Sequence, residues 1–212
     1  MARIKVFLSA VLAGVCIAIG GTVYLSMESK LAGALLFTVG LFTICIFGLH
    51  LFTGKVCYVF QNNASYALDV AVIWLGNLAG TFGAAWLESH TRIGPALAEK
   101  AAGLCQTKLG DGLLSIFILA VFCNIMIYIA VEGFNRAPHD LGRYVALFLG
   151  VAVFILCGFE HCVANMYYFS VAGAWSGKAF GYLLVMTAGN AVGGVIFPLC
   201  RQFMQKKEGA KV

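Results

Sequence analysis

A carboxylate, an imidazole, a thiol and a carboxamide fall together in Phe159-Glu160-His161-Cys162-Val163-Ala164-Asn165-Met166-Tyr167, inside an otherwise apolar stretch. Ionisable groups in hydrocarbon are costly, so they mark a functional site by default. An imidazole changes charge near neutral pH, donating a hydrogen bond when neutral and a proton when charged. Glu160 and His161 are neighbours, so their side chains diverge, and Glu160 is expected to anchor the chain locally by accepting hydrogen bonds. An enzyme reading would combine Glu160, His161 and Cys162. A thiol nucleophile, however, needs a base in spatial reach and an accessible electropositive setting, which adjacency in sequence does not provide.

The elements that must position these groups follow from composition. Of 212 residues, 61% are hydrophobic and 11% charged, with a mean hydropathy of +0.92. Such a chain is expected to be a polytopic membrane protein. The apolar run from Val6 to Met27 follows Arg3 and Lys5, is long enough to span a bilayer, and lacks a convincing cleavage site, so it reads as a first spanning helix rather than a leader. Cys16, Cys45, Cys57, Cys123, Cys157 and Cys200 lie in or beside apolar spans without CxxC pairing, which favours small buried hydrophobes over disulfides or a metal site. The net charge of +5 comes from residues at span ends rather than a basic run interleaved with aromatics, so nucleic acid is not an expected partner. No metal or cofactor is expected.

About 20 apolar residues cross a bilayer as a helix, and six segments qualify: 6–27, 31–60, 68–89, 112–134, 142–173 and 178–203. The second and fifth are too long for one simple span. His50-Leu51-Phe52-Thr53-Gly54-Lys55 interrupts the second, and Gly158-Phe159-Glu160-His161 the fifth. Polar backbone at that depth is tolerated only inside protein or along a cavity. The expected fold is therefore all-α, one membrane domain over 1–212. Its two three-helix repeats, 5–90 and 112–205, each have a broken middle helix and are inverted relative to one another by their odd span number. Gly76-Asn77-Leu78-Ala79-Gly80 and Gly189-Asn190-Ala191-Val192-Gly193 close the two halves with the same GN-x-x-G pattern. Small residues at this spacing let helices approach closely. Arg3, Lys5, Arg136, Arg143, Arg201, Lys206, Lys207 and Lys211 fall on one side, and Lys30, Arg92, Lys100, Lys108 and Lys178 on the other. That bias places both termini in the cytoplasm.

These motifs together resemble the formate/nitrite transporter family over essentially the whole chain. F-E-H-x-x-A-N-M is the specific signature; Leu-Phe-Thr-Gly or GN-x-x-G alone would be weak. The resemblance implies an aquaporin-like fold without aquaporin sequence, a homopentamer with one pore per protomer, and passage of formate, nitrite, lactate or hydrosulfide. It also implies a bacterial or archaeal inner-membrane location. Family pore positions match here at Phe37, Leu41, Leu51 and Phe154 as an apolar constriction, and at His161, Thr53, Lys108, Asn124 and Asn190 as permeant contacts. Glu160, Asn165 and Lys55 are expected to be structural at the breaks. Lys55 and His50 depart from the pattern usual in formate and nitrite members, which favours hydrosulfide as permeant, with formate or nitrite next.

Within that frame Lys108, in the loop opening the fourth span, would raise the local anion concentration over a Debye length of about 8 Å. Half-helices restarting after Thr53 and His161 would aim N-terminal amides at an anion. Apolar rings exclude a hydrated ion, since stripping its water costs several kcal/mol or more. His161 would either protonate the anion or order it by hydrogen bonding. The asparagines would serve as permeant contacts or as glue for backbone freed at the breaks. A neutral-solute channel of aquaporin type shares the plan, but paired Asn-Pro-Ala motifs are absent and Lys108 and His161 argue for an anion.

Overall fold

The computed structural model describes residues 2–208, which form helices throughout with no strand among them. Lys211 lies outside the described residues, as do the side chains of Lys206 and Lys207, so the charge bias they were expected to add is not placed. The order is α1 (Ala2–Ser26), α2 (Lys30–Phe47), α3 (Phe52–Lys55) running into a 3-10 turn (Val56–Gln61), α4 (Ala64–Ser89), α5 (Gly94–Gly110), α6 (Leu113–Arg136), α7 (Asp140–Leu156), α8 (Cys162–Val171) and α9 (Gly177–Glu208). Five of these, α1, α2, α4, α6 and α9, are long and apolar enough to cross a membrane. The expected fifth span is divided between α7 and α8, neither of which reaches that length alone.

Both interruptions fall where the sequence puts them and have the same backbone. α2 ends on Gly48 at φ 62, with the Leu49 amide bonded to Ile44 O at 2.9 Å; α7 ends near Gly158 at φ 70, with the Phe159 amide bonded to Phe154 O at 2.9 Å. A left-handed residue at this position favours glycine. Two residues of extended chain follow, and each helix restarts behind an extended N-cap, Leu51 in one case and His161 in the other.

The GN-x-x-G helices pack on the first helix of each half, α4 on α1 and α9 on α6. A Cβ added at Gly80 would collide with Val11 O, and one at Gly193 with Val121 O. That proximity brings the adjacent asparagine to the break. Asn77 accepts from the Phe52 amide (2.8 Å) and donates to His50 O (3.0 Å) and Ala10 O (2.8 Å). Asn190 accepts from the Cys162 amide and donates to Glu160 O and Ala120 O, all at 2.8 Å.

One element departs from expectation. The segment after α4, read as a loop, contains the 17-residue helix α5, entered at Pro95 and packed against α8. Proline in a first turn costs no hydrogen bond, and Ala and Leu carry the rest.

Valine at Gly80 or Gly193 should therefore destabilise the fold, whereas Gly83, which has open space around it, supplies a control. Overpacking at about 1–3 kcal/mol and roughly 2–4 °C per kcal/mol at this chain length place the loss in unfolding midpoint at about 2–12 °C. Thermal unfolding in detergent measures it, and equal midpoints for Gly80→Val and Gly83→Val would contradict the close-contact role.

Candidate functional site

Two cavities lie at opposite ends of α2 and share no lining residue. The first, about 250 Å³, is bounded by Lys30, Lys108, Phe154, Glu160, His161 and Asn165 among others. The second, about 130 Å³, includes Leu41, Leu51, Lys55, Val131 and Asn135. Between them Phe37, Leu41, Leu51 and Phe154 are all buried, with at most 3% of their surface exposed. Phe37 meets Phe154 edge-on at 6.0 Å, and Phe154 stacks on His161 at 5.6 Å. Phe37 and Phe154 thus meet beside the histidine, while Leu41 and Leu51 line the second cavity.

His161 is held by both ring nitrogens. Nδ1 accepts from the Ala164 amide at 3.1 Å, capping α8, and Nε2 lies 3.0 Å from Thr53 Oγ1. An Nδ1 that accepts carries no proton, so the arrangement fits the neutral tautomer protonated on Nε2. Nε2–H then donates to Thr53, leaving the threonine's own hydroxyl proton free to point at a bound anion. The Thr53 carbonyl accepts from Asn124 Nδ2 at 3.1 Å, which ties α3 to α6.

Lys108 is not in a loop but in the last turn of α5, where its ammonium sits 2.6 Å from Glu160 Oε2. The same oxygen accepts from Asn165 Nδ2 at 2.8 Å. Glu160 thus ties the break to α5 and α8 while lining the first cavity and neutralising its lysine. Lys30 also lines this cavity and donates to Leu156 O, so one cation there remains without a carboxylate partner. Sequence reasoning assigned Lys30 only to topology; the signal was its place at the same end of the bundle as Lys108.

Asn124 and Asn190, read as permeant contacts, line neither cavity. The Asn190 amide is fully committed to the second break. Asn124 gives its donors to Thr53 O and Asn190 O and keeps only an unpaired Oδ1, an acceptor unsuited to an anion. Both are clamps. Lys55, read as structural, lines the second cavity instead. Cys162 is wholly buried, which removes it as an accessible nucleophile.

Two further ties were not foreseen. Tyr167 on α8 donates to Glu88 on α4 at 2.7 Å, and Thr22 on α1 donates to the same carboxylate. Tyr58 in the 3-10 turn donates to Glu132 on α6, which also pairs with Arg136 and Arg201. Each restarted segment is thus moored at its far end to the opposite half of the chain.

The sequence profile of the formate/nitrite transporter family matches residues 1–204. The uncharacterized transporter YrhG of Bacillus subtilis is 30% identical over 184 residues, covering 80% of this chain and 69% of that protein. The formate channel FocB of Escherichia coli is 28% identical over 188 residues, covering 78% of this chain and 65% of its own length, so the chain spans about two thirds of these relatives. A solved pentameric formate channel with formate bound superposes with a TM-score of 0.81 at 26% identity, over 97% of this chain and 98% of that one. With a profile match across nearly its whole length and the fold of a solved channel, the chain belongs to the formate/nitrite transporter family, a family of channels and transporters.

Proposed function

We propose that this chain is a membrane channel for a small monovalent weak-acid anion and not an enzyme. The observation that carries the reading is the pair of cavities at opposite ends of α2, with the apolar constriction and the His161–Thr53 pair between them. On this reading the chain crosses the membrane six times, through α1, α2 with its restarted segment, α4, α6, α7 with α8, and α9, arranged as two inverted halves. Both termini lie in the cytoplasm of a bacterial or archaeal cell, and the assembly is a homopentamer with one pore per protomer. Relatives named as formate channels make formate the first permeant to test. Nitrite follows, and hydrosulfide, which Lys55 and His50 favour, is the third.

An anion drawn into the first cavity meets Lys30 and the Lys108–Glu160 pair, a site of net positive charge but weaker than two free lysines. Crossing requires shedding water between Phe37, Leu41, Leu51 and Phe154, where an uncompensated charge costs several kcal/mol or more. Compensation comes from the Thr53 hydroxyl and the His161 Nε2–H, exchanged from each other onto the anion, and from the amides at the start of α8. The neutral imidazole keeps that proton, since releasing it while Nδ1 accepts would leave an imidazolate, so His161 orders the anion by hydrogen bonding.

Purified protein in proteoliposomes is expected to take up formate above empty vesicles, and no uptake of formate, nitrite or hydrosulfide would refute the channel. His161→Phe should lower flux about tenfold or more, the worth of a hydrogen bond to a charged group at about 1.5–3 kcal/mol. An unchanged flux would reduce His161 to a packing residue. Lys108→Gln should raise the half-saturating anion concentration on its own face and weaken its salt dependence, as flux titrations at two ionic strengths would register.

A further inference from the structure

The second cavity differs from the first in how its charge is balanced. Lys55 is the one charged residue in its lining, half-buried on α3 two residues after Thr53. Among the described residues its ammonium has neither a carboxylate in ion-pair reach nor a hydrogen-bond acceptor. A carboxylate does lie close by. Tyr58 lines this cavity and also a third one, which contains Glu132, Arg136 and Arg201. Glu132 is engaged there by both arginines and by the Tyr58 hydroxyl, so it is held away from Lys55. At the other end of α2 the arrangement is reversed, because Glu160 discharges Lys108 at 2.6 Å.

A half-buried ammonium without a fixed counterion is costly to keep, and a mobile counterion relieves that cost. We infer that the second cavity is an anion-binding station, in which Lys55 holds a small monovalent anion by charge and Asn135 contributes an uncharged amide donor. The station rests on the channel reading and extends it. The permeant has two resting places of unequal strength, and the tighter one is on the Lys55 face, where the unshared cation is half-buried, whereas Lys30, the unshared cation of the first cavity, is exposed to solvent. Entry and release on the two faces are therefore unequal even with one anion on both sides. The arginines of the third cavity take part indirectly: by sequestering Glu132 they keep Lys55 free.

Planar bilayers holding the full-length protein, with formate added to one side at a time, test this directly. Lys55→Gln is expected to raise the half-saturating formate concentration about tenfold on one face, the usual worth of a charge-assisted hydrogen bond, and to leave the other face unchanged. Lys55→Arg should restore it, and Lys108→Gln should shift the opposite face, which assigns the two. A conducting wild type whose Lys55→Gln form is unshifted, or is shifted equally on both faces, overturns the station while the channel stands. A wild type that passes no formate, nitrite or hydrosulfide overturns both. If Lys55→Gln and a second neutral variant, Lys55→Ser, both fail to assemble while Lys55→Arg assembles, Lys55 is structural and the station is refuted.

Discussion

Breaking a helix inside an apolar bundle exposes amides and carbonyls that no water can satisfy, each at a cost of several kcal/mol. The rest of this molecule is arranged around meeting that cost twice. Asn77 and Asn190 each accept from the first amide of a restarted helix and donate to the carbonyl two residues before it. A carboxamide suits the task because it carries a donor and an acceptor on one rigid plane and no charge. Each reaches its break only because glycine three residues further on lets the helix close onto its neighbour's backbone. The GN-x-x-G pattern is thus one device: the glycines set the helix separation and the asparagine uses it.

Satisfying the breaks locally would leave two independent halves, yet the polar contacts cross between them. Thr53 meets His161, Asn124 donates to Thr53 O, Tyr58 donates to Glu132, and Tyr167 donates to Glu88. Each restarted segment is therefore held at its start by an asparagine of its own half and along its length by side chains of the other. If a desolvated anion passes between the apolar walls, as proposed, that rigidity keeps the donors in place for it.

The breaks were legible because each combines an over-long apolar run with a glycine and polar side chains at its centre. The grouping of Phe37, Leu41, Leu51 and Phe154 was readable only through the family resemblance, because Phe and Leu are unremarkable in any apolar helix. Helix α5 was missed because its composition is mixed and its clearest sign is a single Pro95. The pairings of Lys108 with Glu160, Tyr167 with Glu88 and Tyr58 with Glu132 were invisible for a different reason. Their members lie 52 to 79 residues apart along the chain, and an ion pair or hydrogen bond over such distances leaves no local pattern. Asn124 and Asn190 show the same limit from the other side, since the sequence names the donor but not which acceptor has already claimed it.

What separates the two ends of the bundle is a small difference imposed on a shared plan. The breaks match in their glycine, their extended N-cap and their asparagine clamp, but the residue clamped is His50 in one and Glu160 in the other, and the N-cap is Leu51 in one and His161 in the other. The first break therefore offers an apolar side chain where the second offers an imidazole, and the second places a carboxylate where the first has a histidine bonded to Ser9 at 2.7 Å. Glu160 then fixes Lys108, while Lys55 is left unpaired. Unequal charge at the two cavities does not require different backbones at the two breaks. It follows from which of two equivalent positions received the ionisable side chain, because in a low dielectric the placement of one carboxylate decides which cation remains available to an anion.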